Sequence, residues 1–225
     1  IGMLGDAKLS IASLDSRLGE GTVDPEYRAV ATRVRADLAA ETEQSIGDDH
    51  AGICDAIDRL APQDRNIVCD ATMTGTTWGN MRMPARRPRH FTYATSLSIG
   101  LALPLGLGAA VGSGRRTIAL HGDGGVMLNV AELATAVETN APLTVLVFNN
   151  QGYGVLKYLQ TMTGTPHVAV DLHTPDFVGL GEAMGMRSRR VDTVAGFEEA
   201  FAEAMRSDGP NLIEIDITDM TPLKM

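Results

Sequence analysis

Two stretches decide the fold: Thr117-Ile-Ala-Leu-His-Gly-Asp-Gly-Gly125 and Leu143-Thr-Val-Leu-Val-Phe-Asn-Asn150. Each begins as an apolar run and ends in polar residues, which are an acid between glycines in the first stretch and two amides in the second. A strand that is apolar along its whole length is buried on both faces, as in a parallel sheet covered by helices. Polar residues at the ends of such strands are the first indication of a site.

From Asp48 onward, short apolar runs alternate with segments of helical character. We predict strands at Asn66–Asp70, Thr117–His121, Leu143–Phe148, Arg187–Val191 and Asn211–Ile217. We predict helices at Ala51–Leu60, Ser98–Val111, Val126–Thr139, Gly154–Gln160, Pro175–Met184 and Val194–Arg206. This alternation predicts an α/β fold: a doubly wound, mainly parallel sheet of about six strands with helices on both faces.

The opening of the chain differs from the rest, so we predict a boundary between residues 1–47 and residues 48–225. Asp24-Pro25 is a typical helix start, and the apolar residues that follow it recur at four-residue spacing as a thin stripe, which favours a connector helix on a surface. The sequence IGMLGDAKLSIASL is typical of a strand, a turn and a helix that lack the domain they pack on. We therefore expect a fragment or a processed subunit.

Composition excludes several classes of protein. With 225 residues, 44% hydrophobic and 21% charged, the chain has the balance of a globular protein. The net charge of −9 offers no broad attraction to nucleic acid or to an anionic membrane, and no apolar stretch is long enough to span a bilayer. Cys54 and Cys69 have no metal-site or disulfide spacing, which favours buried free thiols and a cytoplasmic location.

The predicted strand ends carry chemistry. In parallel α/β sheets, ligands bind at the carboxyl ends of the strands, and Asp70, Asp123 and Asn150 each lie at such an end. The Gly122–Gly125 turn exposes backbone N–H groups where a helix begins, which suits phosphate oxygens. A carboxylate, an amide oxygen and a backbone carbonyl are hard donors that suit Mg²⁺ shared with a diphosphate. The structural alternative is a helix N-cap at Asp123 and a turn at Asn149–Asn150.

The spacing of these motifs is specific. Gly122-Asp123-Gly124, twenty-four further residues and Asn149-Asn150 together resemble the thiamine diphosphate signature, which begins with GDG and ends in NN. The likeness extends through SIGLALPLGLGAAVG, AELATAVETNAPLTVLVFNN and QGYGVLK, and covers roughly residues 48 to 218. The chain resembles the C-terminal diphosphate-binding domain of the acetolactate synthase and benzoylformate decarboxylase family. Its opening looks like the end of that family's middle domain and the following linker.

The resemblance implies a role for each matching residue. Asp123, the side chain of Asn150 and the carbonyl of Gly152 would bind Mg²⁺. The full cofactor site would comprise Thr72, Thr74, Leu97, Ile99, Gly122, Asp123, Gly124, Gly125, Asn150, Gly152, Tyr153 and Gly154. Within it, the backbone around Gly124–Gly125 and Tyr153–Gly154 would lie against the diphosphate. The family often has Ser where Gly125 stands, so one hydroxyl contact would be lost.

The segment TSLSIGLALP matches the part of the family that carries the cofactor's aminopyrimidine. The Leu97 carbonyl would accept a hydrogen bond from its amino group, and Ile99 would wedge between the two cofactor rings, unless Ile99 is an ordinary core residue. Thr72 and Thr74 would present hydroxyls to the diphosphate and substrate, although such threonines often bond their own backbone. His121 could face the site, but a buried, hydrogen-bonded histidine is the favoured interpretation.

The implied reaction is decarboxylation or carboligation of a 2-oxo acid. In the family, the catalytic Glu comes from the pyrimidine-binding domain of the neighbouring subunit. Nothing in these residues resembles that domain, so we expect no catalytic residue in this chain, which alone would be incomplete. The missing domain would belong to the same polypeptide or to a separate subunit, and we expect a homo-oligomer.

Other functions are weighed against this one. A dinucleotide oxidoreductase is excluded because GLGAAVG at Gly106–Gly112 has an extra residue and lies near a helix end. A non-catalytic interaction domain that retains the fold and a thiamine diphosphate-dependent oxidoreductase component both stay open. Substrate specificity is expected from the Tyr153 region and from the loop Trp78–His90, whose tryptophan and arginines suit a carboxylate unless they only pack the loop.

Overall fold

The computed structural model describes residues 4–18, 21–94 and 96–223. Residues 1–38 and 39–225 form two compact units. Within the first unit lies α1 (Ala7–Leu18), a helix that buries none of its residues. The helix expected in the opening segment is therefore present, and the strand expected before it falls mostly on residues outside the described part.

Helix α2 (Pro25–Leu60) joins the predicted connector to the predicted helix at Ala51–Leu60. Gly47, with φ 71°, interrupts its helical geometry, and the residues that α2 buries begin at Ile46. A Cβ at position 47 would lie 2.6 Å from Cγ2 of Thr221, so a glycine is needed there both for its conformation and for space.

Six strands form one parallel sheet in the order β2-β1-β3-β4-β6-β5. They are β1 (Asn66–Cys69), β2 (Phe91–Tyr93), β3 (Thr117–Gly122), β4 (Leu143–Asn149), β5 (Arg187–Val191) and β6 (Asn211–Asp216). The predicted doubly wound α/β fold is confirmed. Strand β2 was not predicted because it has three residues and no buried face; its pairing with β1 makes it a strand.

The remaining helices follow the strands. They are α3 (Ala102–Ser113), α4 (Asp123–Val126), α5 (Glu132–Glu138), α6 (Gly154–Met162), α7 (Phe177–Ala183) and α8 (Val194–Arg206). The single helix predicted at Val126–Thr139 is divided into α4, a 3₁₀ turn at Met127–Asn129 and α5. The helix predicted from Ser98 begins only at Ala102, which leaves the segment before it free to contribute to a site.

The sheet separates two apolar layers, and the alternation of side chains along each strand supplies both. One layer joins the end of α2 and α8 to Ile118, Leu120 and their neighbours. The other joins α3, α5 and α7 to residues such as Ala119 and Val145. The inner strands β1, β3, β4 and β6 are thus buried on both faces, which is why their sequences are largely apolar, whereas the edge strands β2 and β5 are partly exposed.

Cys54 and Cys69 are buried free thiols, as expected. Burial raises the pKa of Cys54 to about 11 and raises that of Cys69 further, so both are unreactive near neutral pH. Among the described residues, no helix is both long and apolar enough to cross a membrane.

Candidate functional site

A cavity of about 350 Å³ lies where β1, β3 and β4 end. It brings together all twelve residues that the sequence places in a cofactor site. Further residues line it that sequence patterns did not indicate: Ala71, Met73, Thr76, Phe148, Val155, Leu156 and Ile217. Most of these are apolar side chains, for which sequence alone does not distinguish a place in the cavity from a place in the core.

Asp123 connects the ends of β3 and β4. Its side chain is 2% exposed; Oδ1 accepts a hydrogen bond from the N–H of Gly124 at 2.9 Å and Oδ2 accepts one from the N–H of Gly152, also at 2.9 Å. Burial raises the pKa of Asp123 above its ordinary value, although these backbone hydrogen bonds oppose the rise. Gly122, not Asp123, is the residue that precedes α4. The N-cap interpretation of Asp123 is therefore wrong, because its carboxylate bridges two strand ends instead.

Asn149 explains why two amides end β4. Its Oδ1 accepts a hydrogen bond from the N–H of Gln151 at 3.0 Å, and its Nδ2 donates to Oε1 of Glu214 at 2.8 Å. Arg190 donates to the same oxygen of this fully buried glutamate. The turn interpretation is thus correct for Asn149, which holds the loop in place, while Asn150 is the amide that lines the cavity.

The loop after β4 is paired with the segment that follows α6. The N–H of Tyr153 donates to the carbonyl of Val170 at 2.9 Å, and Gly152 forms an antiparallel bridge with Asp171. The N–H of Gly154 donates to the carbonyl of Gly152 at 3.0 Å. Both amides that we expected against a diphosphate are therefore engaged with protein carbonyls.

Glycines keep this part of the cavity open. A Cβ at Gly124 would lie 2.6 Å from Cε1 of Tyr153 and 2.8 Å from Cδ1 of Leu172. A Cβ at Gly154 would lie 2.5 Å from Nδ2 of Asn150. Such distances are too short for any real side chain, so the close approach of loop and turn requires glycine at these positions.

Thr72 and Thr74 lie at the end of β1. Their hydroxyls are 3.0 Å apart, and Oγ1 of Thr72 also accepts a hydrogen bond from the N–H of Gly75 at 3.1 Å. Both residues line the cavity, although Thr74 is only 1% exposed. These threonines bond to each other and to the adjacent π-helical turn at Gly75–Gly79, as the alternative interpretation of the loop anticipated.

Leu97 and Ile99 line the cavity from the segment before α3. Leu97 has φ 54°, in the left-handed region that non-glycine residues rarely adopt. Asp70 accepts hydrogen bonds from the N–H groups of Gly100 and Leu101. The sequence places Asp70 at a strand end but assigns it no role, because its partners are backbone amides of the segment before α3, which sequence patterns do not place beside β1.

Trp78 does not contribute to the cavity. It is fully buried, packs edge-on against Phe148 with ring centroids 5.7 Å apart, and donates from Nε1 to Nδ1 of His50 at 3.3 Å. Burial lowers the pKa of His50 to about 4 and keeps its ring neutral, with Asp49 opposing the shift. None of the described residues from 78 to 90 lines this cavity, and Trp78 packs in the core.

The donors around Asp123 fit a magnesium ion bound together with a diphosphate. The described residues contain no group of three His, Cys, Asp or Glu side chains that could hold a metal. The donors in the cavity are instead the carboxylate of Asp123, the amide oxygen of Asn150 and the backbone carbonyl of Gly152. All are oxygens, as Mg²⁺ prefers. The Gly152 carbonyl accepts one hydrogen bond and keeps a second lone pair. Of the described residues that line the cavity, none is a lysine, arginine or histidine that could neutralise Asp123.

The fold and the cavity together define a class of protein: a parallel α/β domain with a cavity at the carboxyl ends of its strands. Residues 72–215 match the model of the family described as thiamine pyrophosphate enzyme, C-terminal TPP binding domain. The chain belongs to this family.

Two curated proteins and one solved structure that resemble this chain support the family assignment. The chain is 31% identical to Probable 2-ketoarginine decarboxylase AruI of Pseudomonas aeruginosa over 96% of its own length and 39% of the relative's. It is 27% identical to the benzoylformate decarboxylase of the same organism over 76% and 32%. A solved thiamine diphosphate-dependent 4-hydroxybenzoylformate decarboxylase of Rhodococcus jostii RHA1 superposes with a TM-score of 0.70 at 29% identity, covering 76% of this chain and 33% of that one. The chain thus spans about two fifths or less of each of these relatives.

Proposed function

We propose that this chain binds the diphosphate of thiamine diphosphate together with Mg²⁺, as part of an enzyme that acts on a 2-oxo acid by decarboxylation or carboligation. The observation that carries the proposal is the bridge from Asp123 to the N–H of Gly152. It brings a buried carboxylate into the same cavity as Asn150. Family membership supplies the cofactor class.

In this proposal Asp123, Asn150 and the Gly152 carbonyl hold the ion. A divalent cation would provide the countercharge that Asp123 lacks among the described cavity residues, and it would lower the raised pKa of that carboxyl. Gly124 and Gly125 present a backbone without side chains to the phosphate oxygens. The N–H groups of Tyr153 and Gly154 bond to carbonyls of the protein, and the N–H of Gly124 bonds to Oδ1 of Asp123, so Gly125 is the better candidate for a phosphate contact.

The other end of the cavity would receive the organic part of the cofactor. Leu97 and Ile99 project from a segment that is fixed by Asp70, and Phe148, Leu156 and Ile217 add apolar surface. When bound, thiamine diphosphate supplies the nucleophilic carbon for attack on the carbonyl of a 2-oxo acid. The residues of this chain bind and orient it, and the apolar lining excludes water.

We propose that the catalytic acid and further substrate contacts come from a pyrimidine-binding domain, in the same polypeptide or in another subunit of an oligomer. The relatives are more than twice as long as the part matched here, which leaves room for such a domain. Because no described cavity residue is cationic, recognition of the substrate carboxylate is also assigned to that domain.

The test is calorimetric titration of thiamine diphosphate into the intact protein, with and without Mg²⁺. We expect Mg²⁺-dependent binding that Asp123→Ala weakens by at least about 100-fold, because the variant loses a charged metal ligand, and binding energy of this kind reaches about 3 kcal/mol. Asp192→Ala is the matched control, since this exposed acid follows β5 outside the cavity. Equal affinity in the Asp123→Ala variant and the unsubstituted protein, or binding that ignores Mg²⁺, would refute the proposal.

A further inference from the structure

A buried carboxylate at the end of β1 binds the segment that precedes α3. Asp70 is fully buried; its Oδ2 accepts a hydrogen bond from the N–H of Gly100 at 2.8 Å and its Oδ1 accepts one from the N–H of Leu101 at 3.0 Å. Each oxygen thus binds one of two successive amides. A charged acceptor in a dry site makes hydrogen bonds that are stronger than neutral ones. Asp70 therefore ties the segment to the sheet at a single point.

His121 supports the charge on this carboxylate. Its Nδ1 lies 3.2 Å from Oδ2 of Asp70, and both side chains are fully buried. Burial alone would raise the pKa of Asp70, but the contact with His121 and the two amide hydrogen bonds outweigh it and hold that pKa below its ordinary value. Asp70 is thus ionised at neutral pH.

Gly100 is held from its other side as well. Its carbonyl accepts a hydrogen bond from Nδ2 of Asn129 at 2.9 Å, so both of its backbone polar groups bond to side chains from other parts of the chain. Its φ of 89° lies in the left-handed region, and a Cβ there would lie 2.9 Å from Cβ of Leu128. The backbone at Gly100 is therefore set by its surroundings and not by local preference.

Gly125 makes room for this arrangement. A Cβ at position 125 would lie 2.5 Å from Oδ2 of Asp70 and 3.4 Å from the backbone nitrogen of Gly100. A side chain at this position would push the carboxylate off the amides. This gives a physical reason for glycine at position 125.

We propose that Asp70, with Asn129, is a positioning residue that holds residues 97–101 in the shape that receives the pyrimidine end of the cofactor. The inference rests on the proposed function. Leu97 lies in the cavity with a backbone conformation that is unfavourable for leucine, and such a conformation persists only where neighbouring contacts enforce it. Asp70 lies beside the diphosphate turn at Gly125, but its hydrogen bonds go to Gly100 and Leu101, so its loss should affect the pyrimidine end of the cofactor more than the diphosphate end.

The experiment compares two ligands on the intact protein, in the assembly in which it occurs: thiamine diphosphate with Mg²⁺, and inorganic diphosphate with Mg²⁺. Asp70→Asn keeps the shape of the side chain but turns an N–H₂ group toward one of the two amides. Because one charged hydrogen bond is lost, we expect thiamine diphosphate to bind about 10- to 100-fold more weakly. The binding of inorganic diphosphate should not change. Asp176→Asn is the matched control, because Asp176 also bonds a backbone amide but lies at the start of α7.

The outcomes separate the two proposals. Equal weakening of both ligands by Asp70→Asn, or weakening of neither, overturns the positioning role while leaving the cofactor assignment intact. Failure of the unsubstituted protein to bind either ligand overturns the proposed function and the positioning role with it.

A second measurement needs no cofactor. Hydrogen exchange of the amides of Gly100 and Leu101 should accelerate in Asp70→Asn, whereas β3 keeps its protection; unchanged exchange at these two amides contradicts the inference. If Asp70→Asn does not fold, Asn129→Ala replaces it, since Asn129 is half-buried and bonds the carbonyl of the same glycine. The same selective loss of thiamine diphosphate binding is expected, and equal loss of both ligands refutes the proposal.

Discussion

The β3–β4 side of the cavity (residues 122–125 and 150–154) is held by bonds between groups that directly follow two neighbouring strands, whereas the β1 side (residues 71–76 and 97–101) is held by a carboxylate at the end of β1 that binds the segment before α3. On the β3–β4 side, Asp123 is a proposed ligand as well as a structural link. On the β1 side, Asp70 is structural and other residues face the cavity. The difference teaches that two acids at equivalent strand ends can have separate roles.

The pKa values support this division. Burial raises the pKa of Asp123, because no described cavity residue offers it a positive charge. Burial would do the same at Asp70, but His121 and two amides reverse the shift. A carboxylate that lacks a countercharge suits a cation site, and one that is fully satisfied suits a support.

The largest effect is expected from a change in pH, which alters the stability of the folded protein through His50 and its contact with Trp78. His50 has its pKa lowered from 6.5 to about 4 by burial, so the folded protein favours the neutral ring that accepts from Trp78. Because the unfolded chain binds this proton more readily, the contribution to stability is complete above about pH 6.5 and is lost as the pH falls toward 4. The shift corresponds to about 3 kcal/mol.

His50→Gln keeps a group that can accept from Trp78 but does not titrate, so its stability should change less between pH 6.5 and 4. Denaturation in urea, followed by fluorescence of Trp78, the single tryptophan, measures this. The exposed His167 provides a control in His167→Gln. Parallel pH profiles for His50→Gln and the unsubstituted protein would show that His50 does not hold this region.

An intermediate effect is expected on the β3–β4 side. Gly124→Ala places a Cβ 2.6 Å from the ring of Tyr153, so we expect a loss of about 2 kcal/mol in unfolding free energy and weaker binding of thiamine diphosphate. Gly108→Ala is the matched control, since nothing lies within 4 Å of its Cβ in α3, and it should stabilise by about 0.5–1 kcal/mol. If both alanines are tolerated alike, the close approach of loop and turn does not constrain this side.

The smallest expected effect is a coupling between the β1 side and the β3–β4 side of the cavity, at Asp70 and Gly125. Gly125→Ala should destabilise the protein when Asp70 is present and do so less in an Asp70→Ala background, because its Cβ would lie 2.5 Å from Oδ2 of Asp70. We expect a coupling free energy of about 1 kcal/mol in a double-mutant cycle measured by urea denaturation. Additive effects would mean that the Asp70 carboxylate and position 125 are independent, so that the two sides of the cavity are not coupled at this point.

Sequence patterns predicted the sheet well where strands are long and apolar, as in β3 and β4. They failed for β2, whose three residues are strand only because β1 lies beside them. They also assigned one helix to Val126–Thr139, where the structure has two helices and a 3₁₀ turn, since helical periodicity does not register a local tightening of the backbone.

The prediction that Asp123 and Asn150 share a site could be made from sequence alone, because neighbouring parallel strands place their carboxyl ends at one edge and a glycine turn exposes amides there. Only the tertiary structure decided that Asp70 binds the backbone of Gly100, that Trp78 is buried against His50, and that the amides of Tyr153 and Gly154 bond to carbonyls. Each of these contacts depends on where the folded chain brings other groups, and on the direction in which each side chain or amide points. Local propensity and spacing carry no information about either.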